Sequence, residues 1–367
     1  MRDLHEHLRR RTEPFALATV LDTRGNTPRP PGTAMAVTAE GAVHGAVSGG
    51  CVDAEVHRLC LAALGGAPPR LLGFGYVPDD PFAIGLSCDG AMEVFVQRVD
   101  PSRDEAASAT LAALTAGRAV ALTRIVRGPE HLIGRGLAVD ADGSASGEGP
   151  ADPVLRRRII VTARAMLAEG STGARLFPRA GDAAEVEVFV ESLPAPPRLL
   201  IFGAVDFAAA LSETAALLGY RVTVCDARPL FTRSERFPAG TELVTDWPHR
   251  YLATTETGPD TVVCDLTHDP KFSVPLLAEA LRRPLAYVGA LGSRGSSRRR
   301  AELLTEAGVG ATELAALHAP IGLDLGGRTP QETALSIMAE VVAVRHGRTG
   351  RQLSSLTGAL HRKGATA

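Results

Sequence analysis

The sequence predicts an α/β protein in which a parallel sheet with crossover helices follows a mixed α+β domain. From residue 198 onward, short apolar strand patterns alternate with helical patterns, which is typical of a parallel sheet. A chain of 367 residues also exceeds what one hydrophobic core usually serves. We therefore expect two domains, at residues 1–193 and 198–367, joined by the stiff proline-rich segment 194–197.

The N-terminal part predicts the mixed α+β domain. FALATVLDT (residues 15–23) predicts a buried strand, and the apolar spacing in CVDAEVHRLCLAAL (residues 51–64) predicts an amphipathic helix. The stretch 139–153 is rich in Gly, Ser and Asp and predicts an exposed loop. Further strands are predicted near residues 34–38, 42–47, 70–73, 92–99, 119–127, 132–138 and 185–193, and helices near 2–11, 103–116 and 153–167.

The C-terminal part predicts the parallel sheet. Thr329, Pro330 and Glu332 form a strong helix start for the last helix. Strands are predicted at residues 198–203, 221–226, near 243, 261–266 and 285–290, and helices at 206–218, 273–282 and 330–345.

Composition excludes several classes of function. A formal net charge of −2 gives no broad basic surface for nucleic acid. No apolar run has the length of a signal peptide or of a membrane span, so we expect a cytoplasmic protein without a membrane partner. The five cysteines lie far apart and form no Cys-x-x-Cys pair, which argues against a disulfide framework or a structural zinc site.

The first strand of the C-terminal part ends in a glycine turn, as in Rossmann-like domains. There, glycines let backbone amides approach a pyrophosphate. Gly203 fits the first glycine position of the motif, but Val205 puts a β-branched side chain at the second, where the backbone should meet the phosphate, and Asp206 adds a negative charge beside it. Asp226 ends the second strand, where an acidic residue binds a ribose hydroxyl. A nucleotide pocket and a scaffold that has lost its ligand therefore both remain open.

Two further loops follow strands of the same predicted sheet. His268 and Asp269 could form a proton-transfer pair, or they could be ordinary turn residues. Ser293 and Arg294 open a helix and offer a natural anion site. The arginines at 298–300 either belong to that site or form a solvated helix face.

The N-terminal stretch SGGCVDAEV places a cysteine at a predicted helix start. Ser48, Gly49 and Gly50 form the turn ahead of Cys51, and a helix dipole lowers the pKa of a thiol placed there. Cys51 could act as a nucleophile, a metal ligand or a sulfur carrier, with Glu55 four residues on to handle a proton or hold a ligand. The alternative is a buried inert thiol.

The other cysteines divide into one loop residue and three core residues. Cys88 lies in the loop GLSCDG and could form a redox or metal pair with Cys51 if the two come close. Cys60, Cys225 and Cys264 sit among apolar neighbours, so we expect them in the core.

Three sets of segments resemble the XdhC/CoxI family of xanthine dehydrogenase accessory factors. They are DTRGNTPRPPG with GAVSGGCVDAEV, the glycine turn with Asp226, and YVGALGSR with HAPIGLDLGGRTPQE. The resemblance implies a two-domain protein that binds the molybdenum cofactor, aids its sulfuration with a cysteine desulfurase and delivers it to a molybdenum hydroxylase. This chain departs from the family at GAVD (residues 203–206), where members usually carry GAGH, and at SCDG (residues 87–90), where they often carry GCGG.

The leading hypothesis is a molybdenum-cofactor maturation chaperone. Cys51 would be the reactive or ligating thiol, supported by Glu55, and the remaining cofactor-binding residues would be Ser48, Gly49, Gly50, Gly203, Ala204, Val205, Asp226, Ser293 and Arg294. The alternative is an NAD(P)-dependent oxidoreductase of a small molecule, with His268 or Asp269 as the acid or base. A scaffold without a ligand is a third hypothesis, and the long apolar last helix favours a homodimer.

Overall fold

The structure is a computed structural model, and it describes residues 4, 7–8, 11–25, 29–75, 90–178 and 185–357. The chain divides into two compact units, Met1–Ala195 and Pro196–Ala367. Each unit has its own apolar clusters, as domain-sized segments do. Of the helix predicted over residues 2–11, only Leu4, His7, Leu8 and Arg11 lie within the described residues, and Arg11 is not helical.

Within its described residues, the N-terminal unit begins with a five-stranded antiparallel sheet of order β3-β2-β1-β5-β4. Its strands are Phe15–Arg24 (β1), Ala34–Thr38 (β2), Val43–Gly45 (β3), Arg70–Gly75 (β4) and Ala91–Val99 (β5). Helix α1 (Asp53–Leu64) buries Val56, Cys60 and Ala63 against this sheet, as the predicted amphipathic pattern requires.

A second antiparallel sheet follows in the same unit, with the order β8-β7-β6-β10-β9 over the part that is described. Its strands are Val120–Arg127 (β6), Ala138–Asp140 (β7), Ala145–Ser146 (β8), Gly173–Phe177 (β9) and Val186–Leu193 (β10). Helices α2 (Glu105–Thr115) and α3 (Pro153–Glu169) accompany it. Asp152 caps α3 through the amide of Val154, and Gly170 ends the helix at a φ of 67°.

Two stretches of the second sheet differ from the prediction. The segment 139–153 is not only a loop, because β7 and β8 form a hairpin closed by the Gly143 amide on the Asp140 carbonyl (2.9 Å). The strand expected over 132–138 is represented only by β7, which starts at Ala138. Strand β9 was not predicted, since it is an edge strand whose Leu176 stays 64% exposed and which shows no clean alternation.

The C-terminal unit is built, within the described chain, on a six-stranded parallel sheet of order β13-β12-β11-β14-β15-β16. This confirms the predicted α/β fold class. The strands are Arg198–Phe202 (β11), Arg221–Asp226 (β12), Glu242–Thr245 (β13), Val262–Asp265 (β14), Tyr287–Ala290 (β15) and Leu317–His318 (β16). The helices are Asp206–Leu217 (α4), Pro248–Thr254 (α5), Pro270–Ala280 (α6), Arg294–Glu306 (α7), Ala311–Ala315 (α8) and Pro330–Arg345 (α9).

Helices bury both faces of this parallel sheet. Leu211 of α4 and Ile337 of α9 belong to one apolar cluster, and Leu276 of α6 and Leu304 of α7 belong to another. Because the strands are parallel, their carboxyl ends share one edge, and the predicted ligand-binding loops leave the sheet there. No helix in the described part of the chain is long and apolar enough to cross a membrane.

One helix of this unit begins earlier than predicted, and another was not predicted. Helix α6 begins at Pro270 rather than near 273, because the Asp269 side chain accepts the amide of Lys271 and caps the helix. Helix α5 was not predicted, because its seven residues are too few to show a helical period.

Candidate functional site

The turn between β11 and α4 passes close to the end of β14. Gly203 has a φ of +100°, which L side chains rarely adopt. A Cβ added to Gly203 would lie 3.1 Å from the amide nitrogen of Thr267 and 3.2 Å from the carbonyl carbon of Leu266. Glycine is therefore required here both by the backbone conformation and by the approach of a second chain segment.

Substituting Gly203 by alanine should cost more than backbone strain alone. Gly240 is a matched control, because its φ is +89° and a Cβ there would meet nothing within 4 Å. We expect Gly240→Ala to lower the free energy of unfolding by about 1 kcal/mol and Gly203→Ala to lower it by about 2 kcal/mol. Urea denaturation of the two variants measures the difference, and equal losses would contradict a role for the close approach.

Asp226 is saturated by hydrogen bonds from the protein. Its carboxylate accepts the amides of Ala204 (2.9 Å) and Arg228 (2.9 Å). The Arg228 guanidinium adds two more bonds, from Nε (2.9 Å) and Nη2 (2.8 Å). These four bonds use the acceptor capacity of a carboxylate, so a ribose hydroxyl would have to displace Arg228. Burial alone would raise the pKa of Asp226, but the bonds from Arg228 and Ala204 outweigh it and hold the pKa below its usual value.

Two arginines complete the surroundings of the glycine turn. Arg228 lies over the ring of Phe231, with its Cζ 4.3 Å from the ring centroid. Arg236 donates to the carbonyl of Ala204 and to the Asp206 carboxylate, both at 3.0 Å. The charge of Asp206, which the sequence placed beside the phosphate position, is therefore paired with Arg236.

A cleft of about 280 Å³ opens at the carboxyl ends of β11, β12 and β14. Its walls combine cationic, acidic and apolar side chains, and they are Val205, Asp226, Ala227, Arg228, Pro248, Leu266, Thr267, His268, Asp269, Lys271 and Phe272. Small-molecule sites usually span ~300–1,000 Å³, so this cleft has the size for one ring system rather than for a whole dinucleotide.

The cleft brings together four of the predicted site residues, which are Val205, Asp226, His268 and Asp269. Asp269 pairs with Lys271, whose Nζ lies 2.9 Å from the carboxylate. The side-chain hydrogen bond from Lys271 lowers the pKa of Asp269, so the carboxylate is ionised at neutral pH and cannot donate a proton there. His268 is exposed at the rim.

Ser293 and Arg294 do not line this cleft, because they lie at the start of α7, beyond the end of β15. Ser293 is the N-cap residue of α7, and its Oγ accepts the amide of Ser296 (3.1 Å). Gly203 and Ala204 are also outside the cleft lining, and Ala204 contacts it only through the bond from its amide to Asp226.

One face of α9 holds the segment HAPIGLDLGGRTPQE in place. Glu332, Ser336 and Glu340 are spaced four residues apart and so project from the same helix face. Glu332 accepts two amides at the helix start, Ser336 donates to the carbonyl of Leu323, and Glu340 accepts the amide of Gly322 (2.6 Å). The motif is therefore tied to the helix that follows it over two helical turns.

Glu340 is the centre of a polar cluster beneath this segment. Its carboxylate accepts the hydroxyl of Tyr287 and contacts Nδ1 of His318 at 3.1 Å. Burial alone would raise the pKa of Glu340, but the hydrogen bonds from His318, Tyr287 and Gly322 outweigh it and lower the pKa.

The contribution of Glu340 to stability should depend on pH. Because folding lowers the pKa of Glu340, its stabilisation is present above the unfolded value of ~4.3 and is lost as the pH falls through the folded value. We expect Glu340→Gln to lower the free energy of unfolding by about 1 to 2 kcal/mol at neutral pH, with the loss vanishing in acid. Urea denaturation across this pH range tests the expectation, which a pH-independent loss would contradict.

In the N-terminal unit, the turn at residues 48–51 is built around Asp53. The Asp53 carboxylate accepts three successive amides, those of residues 47–49, at 2.9 to 3.1 Å. Gly49 and Gly50 have φ values of 89° and 135°, which favour glycine. The two glycines and Asp53 together determine the path of the turn.

Cys51 is exposed at the end of this turn, so the alternative of a buried thiol is wrong. The predicted helix start also needs correction. Helix α1 begins at Asp53 with Val52 as its N-cap residue, and Cys51 therefore precedes the helix instead of lying in its first turn. The reason is that the side chain of Asp53 bonds back to the turn and keeps the preceding residues out of the helix.

Glu55 forms an ion pair with Arg58 on the surface of α1. The Nε of Arg58 lies 2.8 Å from the carboxylate, and a second bond comes from Nη2. The side-chain hydrogen bond from Arg58 lowers the pKa of Glu55. Glu55 is therefore ionised at neutral pH and can act there as an acceptor but not as a proton donor.

Three of the other cysteines are buried, which confirms their prediction as core residues. Burial raises the pKa of Cys60 and of Cys225 to about 12, and it also raises the pKa of Cys264. Cys88 lies outside the described residues. Among those residues, no group of three or more His, Cys, Asp or Glu side chains is placed to hold a metal ion.

Two family models match this chain. The model of the XdhC and CoxI family covers residues 8–75, which include the turn before Cys51. The model of the XdhC Rossmann domain covers residues 199–341, which include the glycine turn, the cleft and most of α9. The chain belongs to the XdhC and CoxI family. The family resemblance of the sequence motifs is thereby confirmed.

Relatives of known name match nearly the whole chain. A probable xanthine dehydrogenase subunit from Bacillus subtilis (strain 168) is 24% identical over 336 residues, which cover 91% of this chain and 94% of the relative. The molybdenum cofactor insertion chaperone PaoD of Escherichia coli (strain K12) is 26% identical over 330 residues, which cover 90% of this chain and 83% of the relative. A crystal structure of a xanthine dehydrogenase from Bacillus halodurans shares the fold, with a TM-score of 0.73, 23% identity and 97% coverage of both chains.

Three residues that shape these sites were missed by the sequence analysis. Asp53 carried a detectable signal, because an Asp just after a glycine turn and at a helix start is a typical capping residue. Arg228 stands two residues after Asp226 and could have been recognised as a local ion-pair partner. Glu340 offered no such signal, because its partner Tyr287 is 53 residues away in the sequence.

Proposed function

We propose that this chain is an accessory protein for a molybdenum hydroxylase, which binds the molybdenum cofactor and passes it to the enzyme. Membership of the XdhC and CoxI family supports this, as does the similarity to a protein named as a molybdenum cofactor insertion chaperone. In the chain itself, the observation that carries the proposal is the exposed Cys51, presented on a turn that two positive-φ glycines and Asp53 hold in one conformation.

Cys51 supplies the sulfur chemistry in this proposal. A thiolate is a soft ligand and a nucleophile, suited to contact the metal of the cofactor or to carry sulfur. A cysteine desulfurase is the expected source of that sulfur, and Glu55 remains an ionised acceptor two helical positions beyond Asp53. The turn residues Ser48, Gly49 and Gly50 hold the backbone that presents the thiol.

The cleft of the C-terminal unit suits the pterin part of the molybdenum cofactor. The molybdenum cofactor is a pterin that carries a phosphate and a metal-binding dithiolene, so its recognition needs hydrogen bonds, positive charge and a site the size of a ring system. Arg228 and Lys271 bring positive charge to the cleft, His268 brings a ring nitrogen, and Phe272 adds an aromatic wall. Asp226 positions Arg228 through two of its bonds.

The features of this cleft favour a pterin as its ligand and not a nicotinamide dinucleotide. The acceptor capacity of Asp226 is already filled, Val205 stands where close phosphate approach requires glycine, and the volume is small for two nucleotides. We therefore do not extend the proposal to NAD(P)-dependent catalysis by His268 or Asp269.

The proposal is tested by reconstituting a molybdenum hydroxylase that lacks its cofactor. The enzyme is mixed with the molybdenum cofactor in the presence or absence of this chain, and its activity and molybdenum content are followed. We expect faster and more complete activation with the chain. Equal activation in both mixtures, with no cofactor retained by the chain after gel filtration, would contradict the proposal.

A further inference from the structure

The arginine run of α7 does not form a uniform basic surface. Arg298 and Arg299 are exposed, and Arg299 pairs with Glu302 at 3.0 Å. Arg300 is only 7% exposed. The hypothesis of a solvated helix face therefore applies to the first two arginines and is wrong for the third.

Arg300 donates two hydrogen bonds to described residues, but its third guanidinium nitrogen makes none. Its Nε donates to the Oγ of Ser273 (3.1 Å) and its Nη2 donates to the carbonyl of Leu291 (2.9 Å). Ser273 donates in turn to the fully buried Asp265. Nη1 is buried and bonds to no described residue. A buried guanidinium nitrogen that makes no hydrogen bond is costly, so its retention calls for an explanation.

The free nitrogen lies under the turn that opens α7. Side chains of a helix point toward its N-terminus, which brings Arg300 back from the second helical turn to the first. A Cβ on Gly292 would lie 3.6 Å from Nη1 and 2.5 Å from the Oγ of Ser296. The guanidinium of Arg300 therefore lies directly behind the segment 292–296, on its buried side.

The same turn presents several hydrogen-bond donors to solvent. The first amides of a helix have no partner within the helix, and here Ser293 satisfies that of Ser296. Those of Arg294 and Gly295 remain at the positive end of a 13-residue helix. The hydroxyls of Ser293 and Ser296 lie 3.2 Å apart on the same exposed turn.

We propose that residues 292–296 bind a phosphate group, as a phosphomonoester or a pyrophosphate, with the buried charge of Arg300 behind the site. If the phosphate belongs to a molybdenum cofactor bound in the cleft, the inference rests on the proposed function. Strands β14 and β15 are neighbours in the sheet. The turn therefore starts about 5 to 10 Å from the cleft, which matches the reach of a phosphate arm on a ring system held there.

Two substitutions of Arg294 distinguish the contribution of its backbone amide from that of its guanidinium. Ser293 is extended, with φ −78° and ψ 165°, and such a residue accepts a following proline. Arg294→Pro puts proline at the first helical position, which helices favour, and removes both the amide donor and the guanidinium. Arg294→Ala removes only the guanidinium. Arg298→Ala removes the same charge from an exposed position on the same helix and is the matched control.

Titration calorimetry of the full chain with pyrophosphate provides the measurement. We expect binding to weaken a few-fold in Arg294→Ala and about tenfold further in Arg294→Pro, with no more than about a twofold change in Arg298→Ala. Amide shifts in ¹H–¹⁵N spectra should change at Arg294 and Gly295. No binding at millimolar pyrophosphate, or equal weakening in Arg294→Pro and Arg298→Ala, would overturn the site.

A further variant tests the buried charge. Arg300→Lys keeps the charge but loses the planar fork that reaches Ser273 and Leu291 together, and we expect about tenfold weaker pyrophosphate binding with a folded protein. Unchanged binding would remove Arg300 from the proposal. If Arg300→Lys does not fold, the comparison of Arg294→Pro with Arg298→Ala tests the phosphate site without it. If the chain binds the molybdenum cofactor but not pyrophosphate, this site is wrong and the proposed function stands. If it binds pyrophosphate but not the molybdenum cofactor, the site stands and the proposed function is wrong.

Discussion

Replacing Cys51 by alanine should reduce the activation of a molybdenum hydroxylase by this chain about a hundredfold or more. The reason is that the substitution removes the thiol that we propose as the reactive group and leaves the bonds from the Asp53 carboxylate to the turn in place. These bonds run from backbone amides to the Asp53 carboxylate and do not involve the side chain of Cys51. The measurement is the initial rate of activation of the cofactor-free enzyme with wild-type chain or with the variant.

Cys60 offers a matched thiol control for this experiment. It lies on α1, the helix that follows Cys51, but it is buried, and burial raises its pKa to about 12, so it is not reactive at neutral pH. We expect Cys60→Ala to lower stability and to leave activation unchanged once the folded fraction is accounted for. Full activity of Cys51→Ala, or equal losses in the two variants, would show that the exposed thiol has no special role.

Replacing Asp226 by alanine should lower the free energy of unfolding by about 3 kcal/mol. The substitution leaves the buried amide of Ala204 without an acceptor and takes both carboxylate bonds from the Arg228 guanidinium. Arg228 is half exposed and can be hydrated, which keeps the loss below that of a fully buried pair. The released Arg228 should also weaken binding of the molybdenum cofactor about tenfold.

Asp260 is the control for this substitution. It is 74% exposed and lies 3.6 Å from Arg345, so Asp260→Ala removes an ion pair at the surface and should cost less than about 0.5 kcal/mol. Urea denaturation and cofactor titration are carried out on both variants. A loss of stability in Asp226→Ala as small as that in Asp260→Ala would contradict the bonding described for the glycine turn.

The central strands of the C-terminal sheet were predictable because both of their faces are buried. The stretch RLLIF forms β11, in which four successive residues are buried, and such a continuous apolar run stands out in a sequence. Strands β9 and β16 and helix α5 were missed because they are short or lie at an edge of the sheet. Their formation depends on pairing with neighbours that the local sequence does not reveal.

Candidate site residues could be recognised in the sequence where a local pattern marks them. A cysteine after two glycines and an aspartate at a strand end are both recognisable, and the structure has Cys51 exposed and Asp226 at the cleft. The bonds that saturate Asp226 and Glu340 were not predictable, since they depend on how distant segments meet. The run at 298–300 makes the same point, because three identical residues have different surroundings.

The most direct test of the central claim is the cofactor content of the chain itself. The full chain is purified from cells that make the molybdenum cofactor and from otherwise identical cells that cannot, and its molybdenum and pterin are quantified. We predict that molybdenum and pterin copurify in equal amounts from the first cells and are lacking in the second. A chain from cofactor-producing cells that carries neither, and that does not take up added cofactor, would contradict the account.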